Sequence, residues 1–352
     1  MAELFESHEP LALESGSELP GFTLAFTTQG KLNAAQDNVV WITHALTADA
    51  DVSAWWSGLV GEGRLFDPAK DFIVCANVLG SCYGSTGPLS VNPATGEPWF
   101  HSFPLLTIRD IVAALDRLRQ HLGISRIGTL VGGSLGGQQA LEWAIAQPQI
   151  VQRLALIATN ARHSAWGIAW NESQRLAIEA DPSFAERRAD AGAAGLKAAR
   201  SVALLSYRHA GTYNSAQLDR DEKLRDFRAA SYQQHQGDKL VRRFNAFSYV
   251  ALSRAMDSHH VGRGRGGVEA ALAKVQAKTL VIGIESDGLF PLDEQRLLAA
   301  HIPHAAFASI PSHYGHDGFL LETDALTAIL KPFLEKEGGE TVEELLLEAR
   351  EA

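Results

Sequence analysis

The 352-residue sequence predicts an α/β protein in which helices cover both faces of a mostly parallel sheet. Three observations carry this. Short apolar runs recur at Val39 to Thr43, Phe72 to Val78, Ile127 to Val131, Leu154 to Ala158, Thr279 to Ile284 and Ala306 to Ile310. They show little alternation, as strands buried on both faces do. Helical patterns lie between several of them, and that succession marks the class. Finally, Gly132-Gly133-Ser134-Leu135-Gly136 follows an apolar run and precedes a helix-like one, Gln138 to Gln147.

Taken in order, Val39 to Thr43 runs out into His44-Ala45-Leu46-Thr47. Ile108 to Leu122 carries Ile111, Val112, Leu115 and Leu118 at helical spacing, with Asp110 near the start, where a helix favours negative charge. Leu135 to Gln147 reads as a helix halted by Pro148. Between about Asn160 and Gly267 strand-like runs nearly vanish. Alanine, arginine, glutamine and glutamate dominate, as in Leu176 to Ala180, Ala193 to Leu205 and Gln217 to Arg228. This is the pattern of a helical insertion, so the expected organisation is a sheet domain of residues 1–160 and 268–352 with an insertion at 161–267. Strands resume at Thr279. The tail, Gly338 to Ala352, reads as a peripheral acidic amphipathic helix with Val342, Leu345, Leu346 and Ala349 on one side.

Composition narrows the function. The chain is 46% hydrophobic and 20% charged, ordinary for a soluble globular protein. A formal net charge of −10 argues against a nucleic-acid partner. No apolar run is long enough to span a bilayer, and the acidic Met1 to Glu9 argues against a signal peptide. The two cysteines, Cys75 and Cys82, read as free thiols in a reducing cytoplasm. His259-His260 and His313-x-x-His316 have poor metal-ligand spacing, and no Walker A or dinucleotide fingerprint is present. No metal and no resident cofactor are expected.

Gly132 to Gly136 is a G-x-S-x-G motif in the strand–turn–helix context of a nucleophile elbow, which lifts the serine hydroxyl clear of the sheet. A serine needs a base to take its proton, usually a histidine oriented by a carboxylate. In α/β-hydrolase chain order the acid follows the serine and the histidine comes last. Asp287, just past the run Thr279 to Ile284, and His316, after the last strand candidate, suit those places; Glu285 or Asp293, and His313, are the competing choices. A tetrahedral intermediate also needs hydrogen-bond donors for its oxyanion. The backbone N–H groups of Leu135, at a helix start, and of Leu46, after an early strand, are the candidates.

These residues allow hydrolysis or acyl transfer, which differ in what resolves the acyl-serine. A transferase must exclude water and hold an acceptor. For an amino-acid acceptor, Arg208 is a candidate for the carboxylate and Asp317 for the amine.

Several longer strings narrow the choice. They are His44-Ala45-Leu46-Thr47, the run Asn77-Val78-Leu79-Gly80-Ser81-Cys82-Tyr83-Gly84-Ser85-Thr86-Gly87-Pro88, Ala255-Met256-Asp257-Ser258-His259, Gly262-Arg263-Gly264-Arg265-Gly266, Ser286-Asp287-Gly288-Leu289-Phe290-Pro291 and Gly315-His316-Asp317. On these the chain, from about Leu24 to Leu334, resembles the homoserine O-acyltransferase family of the α/β-hydrolase fold.

The resemblance implies acyl transfer from an acyl-CoA, acetyl-CoA being the commoner donor, to the side-chain hydroxyl of L-homoserine in methionine biosynthesis. It implies Ser134 as nucleophile with Asp287 and His316, an oxyanion hole of Leu46 and Leu135 N–H, and Arg208 and Asp317 as acceptor ligands. It also implies a homodimer with a helical lid over the serine. Succinyl-CoA or L-serine are the alternative substrates within that family, and plain ester hydrolysis is the alternative outside it. CoA is a polyanion, so Arg263 and Arg265 are candidates to attract it. The chain departs from the family pattern at Leu135 and Gln138, where methionine is usual, at Asn245 and Phe247 in the lid, and at His260, where aspartate is usual.

Overall fold

The computed structural model describes residues 2–335. Its main sheet has eight strands: β1 (Glu3–Ser7), β2 (Phe22–Gln29), β3 (Val39–Thr43), β4 (Phe72–Ala76), β5 (Ile127–Gly133), β6 (Val151–Ile157), β7 (Lys278–Ile284) and β8 (Ala305–Ile310). Their order is β1-β2-β4-β3-β5-β6-β7-β8. β1 and β2, and β2 and β4, pair antiparallel, and every other neighbouring pair is parallel. The six apolar runs read from the sequence are β3 to β8. β1 and β2 were not among them. β1 is an edge strand with Leu4 exposed, and only Phe5 of its five residues is buried, so it carries little of the apolar signal.

The helices follow the same logic. α1 (Ile108–His121) begins with a capping box: Asp110 N–H donates to the Thr107 side chain, and Thr107 N–H donates to Asp110 at 2.8 Å. α2 (Leu135–Ala146) follows β5 directly. Between β6 and β7 the chain is helical: α3 (Ala165–Glu179), α4 (Ala193–Tyr207), α5 (Ala210–Gln217), α6 (Arg228–Val241) and α7 (Ala246–Asp257), followed by a short helical turn at Val268–Leu272. After β7 come α8 (Leu292–His301) and α9 (Thr323–Glu335).

The strands bury both faces. In β3, Val39 and Trp41 enter one core, shared with α1, α2 and the apolar faces of α4 and α7. Val40 and Ile42 enter the other, shared with Val131, Ile282, Leu326 and Leu330. A two-residue period with apolar side chains at every position produces this, and explains why the sequence showed no alternation.

One helical expectation is corrected. Gln217 to Arg228 is mostly a loop between α5 and α6. Asp219 accepts the N–H of Arg228 at 3.2 Å and pairs with Lys223, and Asp226 has φ 59°. Aspartates compete for backbone N–H groups, so an Asp-rich run favours a helix entry over a helix interior. Asn245 caps α7, accepting Ser248 N–H at 2.8 Å, so asparagine at that position keeps a capping oxygen. Cys75 and Cys82 are both free thiols. Among the described residues no helix is long and apolar enough to cross a membrane. The acidic tail helix expected at Gly338 to Ala352 lies outside the described residues.

Candidate active site

The strand order reverses around β3 and β5, so the loops leaving their C-terminal ends diverge and open a crevice. Ser134 stands at that point. Its backbone is held at φ 58° and ψ −127°, a conformation L-residues rarely adopt. The packing imposes it. A Cβ on Gly132 would come 2.3 Å from Thr43 Oγ1, and one on Gly136 would come 2.0 Å from the Thr43 carbonyl oxygen. Glycine at both positions lets α2 lie against the end of β3. Thr43 Oγ1 then donates to the Gly136 carbonyl at 2.7 Å, and Thr159 Oγ1 donates to the Ser134 carbonyl at 2.9 Å.

The side chains meet as the sequence order suggested. Ser134 Oγ lies 2.9 Å from His316 Nε2, and His316 Nδ1 lies 2.6 Å from Asp287 Oδ2. The other Asp287 oxygen accepts the N–H groups of Leu289 and Phe290 at 2.8 and 2.9 Å. Those bonds fix the carboxylate behind the imidazole and fix the histidine tautomer with its lone pair toward Ser134. Phe290 stacks on the His316 ring with centroids 5.0 Å apart, and Phe319 packs at 5.2 Å. All three members are buried. The competitors point elsewhere. Glu285 accepts Ser309 Oγ at 2.9 Å, Asp293 pairs with Arg296, and His313 is exposed, with no ring contact to Ser134 or Asp287.

The loop after β3 is tied to α2. Gln139 Nε2 donates to the carbonyls of His44 and Leu135, at 3.1 and 3.2 Å. The buried His44 ring bridges Ala45 O and Val78 N–H, and burial lowers its pKa. Among the described residues neither Leu46 N–H nor Leu135 N–H has an acceptor. Two undonated N–H groups on facing segments beside a serine are suited to an oxyanion.

A cavity of about 480 Å³ opens on Ser134 and His316. One side is apolar, with Ala45, Leu46, Ala54, Trp55, Phe319 and Leu320. The side formed by α4 and α6 bears Arg200, Tyr207, Lys239 and Arg243. Asp317 also faces it. Burial raises the Asp317 pKa, against the pull of Arg208, His316 and Arg200.

The three arginines singled out in the sequence lie off the cavity wall. Arg208 is not among the cavity residues; its Nε lies 3.0 Å from Asp317 Oδ2, outside hydrogen-bond geometry. Arg200, which the sequence reading did not single out, is the arginine of α4 that lines the cavity. It stacks over the Tyr207 ring at 5.4 Å and has no carboxylate within ion-pair distance among the described residues. The available sequence signal was spacing: Arg200 and Tyr207 are seven apart, two turns along one face of α4. Arg263 and Arg265 also lie elsewhere. Arg263 forks onto Glu14 at 2.8 Å, and Arg265 pairs with the buried Glu142. Neither borders the cavity.

The match to known proteins covers nearly the whole chain. Residues 38–323 match the α/β hydrolase fold family model. A homoserine O-acetyltransferase of Cyclobacterium marinum is 51% identical over 337 residues, 96% of each chain. The chain belongs to the homoserine O-acetyltransferase family of the α/β-hydrolase fold. The crystal structure of a Staphylococcus aureus homoserine O-acetyltransferase is 30% identical over 99% of each chain, with a TM-score of 0.81. An acetylester hydrolase from Corynebacterium glutamicum superposes over 96% of each chain with a TM-score of 0.85 at 27% identity. The architecture therefore serves both transfer and hydrolysis, and the cavity must separate them.

Among the described residues no cluster of three or more metal-ligating side chains occurs. Gln138, in place of the usual methionine, is fully buried. Its Nε2 donates to Asn160 Oδ1 at 3.0 Å, and its Oε1 has no partner. Asn160 in turn donates to Glu294 at 2.8 Å. His260 accepts the N–H of Gly262 at 3.1 Å, as an aspartate at a turn would.

Proposed function

We propose that this chain transfers an acetyl group from acetyl-CoA to the side-chain hydroxyl of L-homoserine through an acyl-serine at Ser134. The observation that carries the reading is the hydrogen-bonded series Ser134–His316–Asp287 at the floor of a cavity with an unpaired arginine on its lid side. The 51% identity to a protein named homoserine O-acetyltransferase supports the choice of substrates.

In the first half-reaction His316 Nε2 takes the Ser134 proton as Oγ attacks the thioester carbonyl. The oxygen becomes an oxyanion held by Leu46 and Leu135 N–H. It collapses, the C–S bond breaks, and His316 returns the proton to the leaving thiolate. In the second half-reaction the homoserine hydroxyl gives its proton to His316 and attacks the acyl-serine, and Ser134 leaves with that proton. Asp287 holds the imidazole and offsets its charge in both halves. Arg200 receives the acceptor carboxylate, and Asp317, aligned by Arg208, receives the amine. The segment 161–267 acts as the lid that keeps water from the acyl-serine. The small apolar wall of Ala45, Leu46 and Ala54 suits an acetyl methyl. The acceptor places the reaction in methionine biosynthesis.

Thiol release from acetyl-CoA tests this. It should be slow alone and accelerate strongly with L-homoserine. Equal rates would replace the reading by hydrolysis, the second reading that the Corynebacterium neighbour favours. Parallel assays with succinyl-CoA and with L-serine set the donor and acceptor.

A further inference from the structure

The cavity carries three cations, and they are not equivalent. Arg200 is half-buried, beside Tyr207 and Asp317. Lys239 and Arg243 are exposed, so they occupy the solvent side of the same cavity. Elsewhere in the lid most basic side chains are matched: Arg175 with Asp257, Arg188 with Glu186, Lys197 with Asp238, Lys223 with Asp219 and Arg254 with Glu179. Among the described residues no carboxylate pairs with Lys239 or Arg243. The two are four apart in sequence, on the last turn of α6 and just beyond it, so they project to the same side.

Arg243 is also held in place. Its Nη1 donates to the Thr47 carbonyl and the Tyr83 hydroxyl, while Nη2 and Nε have no acceptor among the described residues. A guanidinium anchored through one nitrogen presents the remaining donors as a fixed fork, the geometry that suits a phosphate. In a chain of net charge −10, a polyanionic donor is repelled at long range unless the entrance is locally positive.

We propose that Lys239 and Arg243 form the site for the phosphate groups of the acyl donor at the mouth of the Ser134 cavity. This rests on the acyl-CoA reading above and replaces Arg263 and Arg265, which are spent on Glu14 and Glu142. The arrangement divides the labour by depth. Strongly hydrated phosphates meet exposed cations, the thioester arm passes inward to Ser134, and Arg200 is left for the acceptor. It also places a donor-binding residue against the oxyanion loop, since Arg243 grips the carbonyl of Thr47, the residue after Leu46.

The test compares acetyl-CoA with acetyl-pantetheine, which carries the thioester but no phosphate, at saturating L-homoserine. Lys239→Ala should raise KM for acetyl-CoA roughly fivefold, and Lys239→Glu more, with KM for acetyl-pantetheine unchanged. Added salt should raise the wild-type KM for acetyl-CoA toward that of the variants. Arg243→Lys keeps the charge and loses the fork, and should fall between wild type and Lys239→Ala. Lys274→Ala, on a distant exposed turn, is the control. A shift equal for both donors, or none, overturns the site and assigns Lys239 only to the negative end of α6. If the wild type transfers no acetyl group, the functional reading fails separately. Calorimetric titration with CoA then decides the site by itself: Lys239→Glu must weaken CoA binding, and an equal Kd refutes it.

Discussion

Ser134 concentrates the chemistry and the strain of this fold in one residue. Its φ of 58° is held by neighbours and not by its own side chain, so Ser134→Ala keeps the fold. Turnover should fall by about 10⁴-fold or more with an unchanged circular dichroism spectrum. Asp287→Asn should cost about 10³- to 10⁴-fold, because an amide no longer enforces the histidine tautomer. Retained activity in either variant would remove the series from the mechanism. A second residue-scale prediction concerns His163. It is buried against Phe290, and burial, aided by Arg175, lowers its pKa from 6.5 to about 4. Asn171 bonds its Nε2 at 3.2 Å and also donates to Asp257. The neutral ring is what the folded state accepts. Below pH 6.5 the unfolded chain binds a proton that the folded chain refuses, so stability falls as pH drops from 6.5 toward 4. The loss from this group is about 2 kcal/mol by pH 5. Denaturant midpoints at pH 7.5 and 5 measure it: His163→Gln should show the smaller drop, and equal drops would exclude His163.

At the scale of elements, the elbow is a contact between three pieces: the end of β3, the turn at Ser134 and the first turn of α2. Gly136→Ala should destabilise the fold by about 3 kcal/mol or more, since its Cβ meets backbone and not a movable side chain. A melting temperature within a degree or two of wild type would show that α2 can shift. The elbow was legible in the sequence because G-x-S-x-G encodes a backbone need at fixed spacing. The loop at Gln217 to Arg228 was not, because its helix-forming residues alternate with aspartates whose hydrogen bonds are settled only when a neighbouring N–H arrives. β1 is faint in the sequence for a related reason: an edge strand with a single buried side chain has almost no periodic signal.

Across the whole molecule, the segment entering β7 is stapled to the core by ion pairs between distant parts of the chain. Glu142 on α2 meets Arg265, Arg109 on α1 lies 3.6 Å from Glu142 and 2.8 Å from Glu14, and Arg263 closes onto Glu14. Glu142 is 2% exposed, so removing it leaves the partly buried Arg265 and Arg109 facing a gap with no carboxylate. Glu142→Ala should cost about 3 kcal/mol or more, read as a lowered denaturant midpoint, whereas Glu14→Ala, at a side chain that keeps 21% of its exposure, should cost under about 1 kcal/mol. Equal effects would mean that burial does not set the strength of this network. Arg263 and Arg265 show the limit of reading cations from sequence. A glycine-rich basic loop looks available to an anion until two glutamates, more than a hundred residues away, prove to be its partners.

By itself the sequence determined the α/β class, the central strands, the order serine, aspartate, histidine, and the family. Each is written in local pattern or in strings whose spacing the backbone requires. Only the tertiary structure decided which charges are spent and which are free. It paired Arg208 with Asp317 and Arg263 with Glu14, and left Arg200, Lys239 and Arg243 facing the cavity. An ion pair is set by distance in space, and distance in space between remote residues is not encoded in their neighbours along the chain.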